Sequence, residues 1–211
     1  MRTILEKFFP KKIDVEGRLA EIDQQYANWL AEGKPLPNPH RLKQQIIQFY
    51  QQQYGCTTLV ETGTYFGDMV HAQLPYFQKI YSIELQPVLH YRTKRRFRNE
   101  MKVVLLQGDS GKILFKLVPT ISEPTLYWLD GHYSMGITAK GDKECPILEE
   151  LDAIFTLSKQ PPVILIDDAR LFIGENDYPT MDALREHVGS YSQGYAMEVK
   201  EDVIRLTPQT V

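Results

Sequence analysis

The sequence predicts an α/β protein: a doubly wound, mostly parallel seven-stranded sheet preceded by an N-terminal helical extension. Three observations carry this reading. After Gly55, short apolar runs alternate with amphipathic stretches, the pattern of strands and covering helices in a parallel sheet. Most of the runs end in acids or beside glycines, and ligands of such sheets bind outside the carboxyl ends of the strands. Finally, two apolar runs flank Lys200-Glu201-Asp202, which reads as a closing hairpin.

The elements follow in order. In the extension, residues 1–54, Val15, Leu19, Ile22, Tyr26 and Trp29 recur at spacings of three and four and share one helix face. Pro35, Pro37 and Pro39 cannot continue that helix and mark a stiff linker. A second amphipathic helix is expected over 41–54, with Leu42, Ile46, Phe49 and Tyr50 as its apolar side. The main domain, 55–211, opens with a strand at 58–61, a glycine turn and a helix reaching about residue 77. Strands at 79–84 and 103–107 and helices at 87–99 and 110–118 come next. A strand at 125–130 leads into a long loop over 131–142. Pro146 suits the first turn of a helix whose stripe is Ile147, Leu148, Leu151, Ile154 and Phe155. A strand at 163–167, a helix bearing Met181, Leu184 and Val188, and strands at 195–199 and 203–206 complete the chain.

Composition bounds the function. With 211 residues the chain is long enough for one domain plus an extension, and 43% hydrophobic with 24% charged residues is globular. A formal net charge of -3 gives no global attraction to a polyanion. The basic run Arg92, Lys94, Arg95, Arg96 and Arg98 lies toward a predicted helix end, where cations complement the dipole. It reads as a solvated face, and no nucleic-acid partner is expected. Cys56 and Cys145 have no metal-ligand spacing and make no disulfide framework, which fits a reducing, cytoplasmic setting. The N-terminal apolar run is too short and interrupted for a signal peptide, and no stretch is long enough to span a bilayer.

Candidate site residues fall at three successive strand ends. The first strand runs into Glu61-Thr62-Gly63-Thr64-Tyr65-Phe66-Gly67-Asp68. Gly63 and Gly67 permit a tight turn and close approach of backbone to a ligand. The spacing is not the G-x-G-x-x-G of nicotinamide-binding turns, and Glu61 suits a cationic group better than a phosphate. Glu84, ending the second strand, is placed to accept hydrogen bonds from ribose hydroxyls. At the third, Asp109 and Ser110 either contact a ligand amine or cap the next helix. Together these positions resemble the class I methyltransferase family from about Thr57 to the C-terminus. The resemblance implies a Rossmann-like methyltransferase fold, S-adenosylmethionine as methyl donor, and Glu61, Gly63, Gly67, Glu84, Asp109 and Ser110 as the residues around it.

The fourth and fifth strands end in Asp130 and in Asp167-Asp168, and neighbouring strands would bring these carboxylates together. Crowded carboxylates raise each other's pKa unless a cation sits among them, and oxygen-only ligation suits a hard ion such as Mg²⁺. The order Asp130-Gly131-His132 followed by Ile166-Asp167-Asp168 resembles the metal-dependent O-methyltransferases related to macrocin O-methyltransferase and, more distantly, catechol O-methyltransferase. Those relatives commonly carry a second acid where this chain has His132, which becomes the expected general base, with Lys140 and Lys143 next in line. Arg170 is placed to contact an acceptor. The expected function is metal-assisted methylation of a small hydroxylated acceptor by a soluble protein, with the extension as a lid or homo-oligomer contact. A metal-dependent hydrolase on the same aspartates, a cofactor-binding module without turnover and a nicotinamide dehydrogenase are the alternatives.

Overall fold

The computed structural model describes residues 13–131, 145–191 and 194–209. Two helices come first. Helix α1 spans Val15–Ala31, capped by the Asp14 carboxylate on the Gly17 N–H, and α2 spans His40–Tyr54 and ends in a left-handed Gly55. Then follow β1 (Thr58–Thr62), α3 (Asp68–Gln73), β2 (Lys79–Glu84), α4 (Pro87–Arg96), β3 (Val103–Gln107) and α5 (Ser110–Leu117). Beyond these lie β4 (Thr125–Leu129), α6 (Ile147–Leu157), β5 (Val163–Ile166), α7 (Met181–Tyr191), β6 (Tyr195–Lys200) and β7 (Val203–Pro208). No helix among the described residues is long and apolar enough to cross a membrane.

The seven strands form one sheet in the order β3-β2-β1-β4-β5-β7-β6. Strands β1 to β5 are parallel, and β7 enters antiparallel against β5 and carries β6 at the edge. The chain reverses its winding between β1 and β4, which is where a ligand crevice opens in a doubly wound sheet. Both faces of the sheet are buried, so the central strands read as continuous apolar runs: β4 and β5 are buried at every position.

Alternation along the strands builds two cores. Val60, Ile83, Tyr127, Leu129, Ile164 and Ile166 face α5, α6 and α7. Leu59, Ile80, Leu126, Trp128 and Leu165 face α2 and α3, which contribute Ile46, Ile47, Tyr50, Met69 and Val70. Helix α2 is thus a covering helix of the sheet. Its buried stripe is Ile46, Ile47 and Tyr50, while Phe49, expected on that stripe, points outward at 59% exposure.

Candidate active site

The side chains beyond the strand ends continue the pleat. Glu61 pairs with Ser82 on β2 and with Trp128 on β4, and Trp128 pairs with Leu165 on β5. One pleat further along, the same register aligns Glu84, Gly63, Asp130 and Asp167 across four adjacent strands, all on the face that α2 covers. The rim therefore carries three acids with one position lacking a side chain. Glu61 lies one pleat below that gap. It is 2% exposed and takes the Ser82 hydroxyl, and burial, reinforced by Asp130 and Glu84, pushes its carboxyl well above the usual range. Glu61 accordingly supports the turn from beneath.

Gly63 has no substitute. Its φ is +85°, and a Cβ there would lie 2.2 Å from the Asp130 carbonyl oxygen. The Gly63 and Thr64 N–H groups donate to the Ile83 carbonyl at 3.0 and 3.2 Å, which folds the turn back over β2. Gly67, at φ +78°, leaves room for the Phe97 ring. Between the two glycines, Tyr65 adopts φ 49° and donates its N–H to Glu84 Oε2 at 2.8 Å. The Gln86 N–H occupies Glu84 Oε1 at 2.9 Å. Burial pushes the Glu84 carboxyl up, against these two backbone bonds. At the end of β3, Asp109 caps α5 through the Gly111 N–H at 3.0 Å, with Ser110 buried behind it.

Asp130, Asp167 and Asp168 converge as expected, each offering an oxygen within 4.8 Å of the others. The backbone sets this up: the Asp167 N–H bonds the Leu129 carbonyl at 3.1 Å, and Asp168 sits in the left-handed region at φ 56°. The donor set suits a hard divalent ion in both atom type and spacing. A protein cation is already present, however. The Lys43 ammonium, carried by α2, bonds Asp167 Oδ2 and lies 3.6 Å from Asp168 Oδ1. Burial opposes the charge on Lys43, but Asp167, Asp130 and Asp168 outweigh it and hold the ammonium protonated. Burial, with Asp130 and Asp168, pushes the Asp167 carboxyl upward against the pull of Lys43. The direct bond decides for the ion pair, because an ammonium buried without its carboxylate is the costlier state. On the outer side, Arg170 bonds Asp168 at 2.8 Å and also Asp202.

A second charged group ties α1 to the glycine turn. Asp68, 4% exposed at the start of α3, accepts from Arg18 Nε and from Arg96 Nη1, each at 2.7 Å. Arg96 also bonds the Phe66 carbonyl, and the Arg18 guanidinium lies 4.2 Å from the centre of the Phe66 ring. These bonds outweigh burial and hold the Asp68 carboxyl below its usual value.

His132, Lys140 and Lys143 lie outside the described residues. Sequence reasoning missed Lys43, Arg18 and Asp68, and it read Arg96 as part of a solvated helix face, whereas the Arg96 side chain is 5% exposed and bonded to Asp68 and the Phe66 carbonyl. One signal was present for Lys43: with Ile46, Ile47 and Tyr50 it occupies positions i, i+3, i+4 and i+7 of one helix face, a lysine at the head of an apolar stripe.

No protein-family model matches the chain, and no curated protein matches its sequence. Solved structures resemble it over nearly its full length. A methyltransferase of Podospora anserina bound to S-adenosylhomocysteine matches at TM-score 0.59 and 16% identity, covering 100% of both chains. The O-methyltransferase TomG of Streptomyces achromogenes, involved in tomaymycin synthesis and in complex with S-adenosylmethionine, matches at 0.60 and 14%, covering 98% of this chain and 94% of its own. An O-methyltransferase of Bacillus cereus in complex with S-adenosylhomocysteine matches at 0.60 and 13%, covering 96% and 94%. Likeness at this level of identity establishes the fold, a Rossmann-like methyltransferase fold, and not the reaction.

Proposed function

We propose that the protein is an S-adenosylmethionine-dependent methyltransferase acting on a hydroxyl group of a small acceptor. The observation that carries this reading is the rim row, in which Glu84 and the glycine turn at Gly63 lie beside a carboxylate cluster at the next two strand ends. A ligand laid along the rim beyond the glycine turn would meet Glu84 at one end and the cluster at the other. Glu84 has two acceptor directions left beyond its backbone bonds, enough for a ribose diol. The structural neighbours with bound S-adenosylmethionine or S-adenosylhomocysteine support the choice of ligand.

Bound S-adenosylmethionine supplies an electrophilic methyl group. The chain's part is to fix the acceptor in line with it and to manage one proton. The acceptor oxygen bonds to the methyl carbon as the carbon–sulfur bond breaks. The hydroxyl proton passes to His132, the assigned base. Beside the cluster, a small recess is lined by Leu129, Ile147, Ile166 and Phe172 together with the Glu150 and Asp167 carboxylates. A second reading adds a divalent ion on Asp130, Asp167 and Asp168, which would polarise the acceptor hydroxyl; the convergence of three carboxylate oxygens favours it, and the Lys43 ammonium on Asp167 stands against it.

The test is incubation with S-adenosylmethionine labelled in its methyl group and a panel of hydroxylated compounds, followed by mass spectrometry. A labelled methyl ether together with S-adenosylhomocysteine is the expected product pair. On a working acceptor, His132→Ala should cut turnover by about 10²- to 10⁴-fold. Label found only on nitrogen would overturn the assignment to oxygen, and full turnover by His132→Ala would move the base elsewhere.

A further inference from the structure

We propose that Lys43 is the built-in cation of the Asp130–Asp167–Asp168 cluster, its ammonium filling the place that a divalent ion would otherwise take. The inference stands on the cluster alone and does not depend on the methyl-transfer reading.

The fold delivers Lys43 to that place. Its residue lies on the buried stripe of α2, above the strand face on which Asp130 and Asp167 emerge. A lysine at the margin of a core normally runs its stem along apolar surface and puts its ammonium into water. Lys43 does otherwise: its side chain is 15% exposed, and the ammonium is bonded to Asp167 and lies 3.6 Å from Asp168. An ion ligated by Asp167 Oδ2 would meet the ammonium bonded to that same oxygen, so the two cations exclude one another. Helix α2 is also held in position, since Gln73 Nε2 donates to the Gln44 carbonyl at 3.1 Å, next in sequence to Lys43.

The charge balance agrees. Three carboxylates within 4.8 Å of one another need neutralising. Lys43 does this from the inside and Arg170, through Asp168, from the outside. An ammonium has three donors. One is taken by Asp167, and Asp168 Oδ1 stands 3.6 Å away, within ion-pair reach but beyond a hydrogen bond. Lys43 thereby gives the site a fixed positive charge that needs no exchange with solution.

The experiment is a calorimetric titration of the full chain with Mn²⁺ alone, with no cofactor or acceptor present. The wild-type protein should show no saturable binding up to millimolar Mn²⁺. Lys43→Met should gain one site, at least tenfold tighter than any wild-type signal, and the added change Asp167→Asn should abolish it. Lys43→Arg, which keeps the charge, should remain silent. A wild-type protein that binds one Mn²⁺ and loses it in Asp167→Asn would overturn the inference. So would a folded Lys43→Met that takes up no ion. If Lys43→Met does not fold, Lys43→Gln replaces it under the same criteria, and the wild-type titration with its Asp167→Asn control remains decisive against the inference.

Discussion

Burial governs the charge of individual side chains around the rim, and His40 shows its direction most simply. It opens α2, its Nδ1 bonded to Gln44 Nε2 at 2.8 Å. Burial lowers its imidazole from 6.5 to about 4; Asp68 opposes this, and Lys43, Arg18 and Arg41 add to it. The folded protein thus keeps His40 neutral where the unfolded chain would protonate it. The stability this group contributes is complete above pH 6.5 and is lost as the pH falls from 6.5 toward about 4. The slope is at most about 1.4 kcal/mol per pH unit. Urea denaturation of wild type and His40→Gln at several pH values from 4.5 to 7 checks this. The variant should lose less stability over the acid range, and identical slopes would show that His40 is protonated in the fold. Lys43 is the other instructive residue, since its role depends on carboxylates that meet it only after folding, from strands far along the chain. Its position on the α2 stripe was legible, but its partners were not.

Elements were read well where periodicity governs and less well where geometry ends them. The strand at 103–107 was placed to the residue, because an apolar run between turns has few alternative readings. Helix α3 stops at Gln73, short of the expected 77, because Pro75 has no N–H to donate to the ladder; Leu74 itself still keeps helical backbone at φ -49° and ψ -42°. Phe49 and Ile47 exchanged places on α2 because the strand face selects Ile46, Ile47 and Tyr50 together. The contact of α1 with the glycine turn was invisible in sequence, since Arg18 and Asp68 lie fifty positions apart. That contact gives a prediction at this scale. Asp68→Ala leaves the Arg96 guanidinium buried without its carboxylate and should cost about 3–5 kcal/mol in urea denaturation. Arg18→Ala, removing the more exposed partner, should cost less. Equal, small losses would mean that solvent already screens the group. Gly63→Ala should also destabilise, by about 1–3 kcal/mol for the strained backbone alone, with more from the clash at the Asp130 carbonyl.

At the scale of the whole molecule, strand order makes the site. Glu84, Gly63, Asp130 and Asp167 are scattered along the sequence, and β2, β1, β4 and β5 are neighbours only because the winding reverses between β1 and β4. The alternation of strands and helices was enough to anticipate that layout, including the pairing of β4 with β5 that gathers the aspartates. It could not reveal that Glu61 would fall one pleat below the rim or that a lysine would enter the cluster, because both follow from register and from the covering helix. The central claim is that this rim binds the methyl donor. Calorimetric titration of the full chain with S-adenosylhomocysteine tests it without an acceptor. The account predicts saturable binding of one molecule per chain, weakened by about 1.5–3 kcal/mol in Glu84→Gln, the scale of a hydrogen bond to a charged group. Absence of saturable binding by the folded wild-type protein, or binding unchanged in Glu84→Gln, would contradict it.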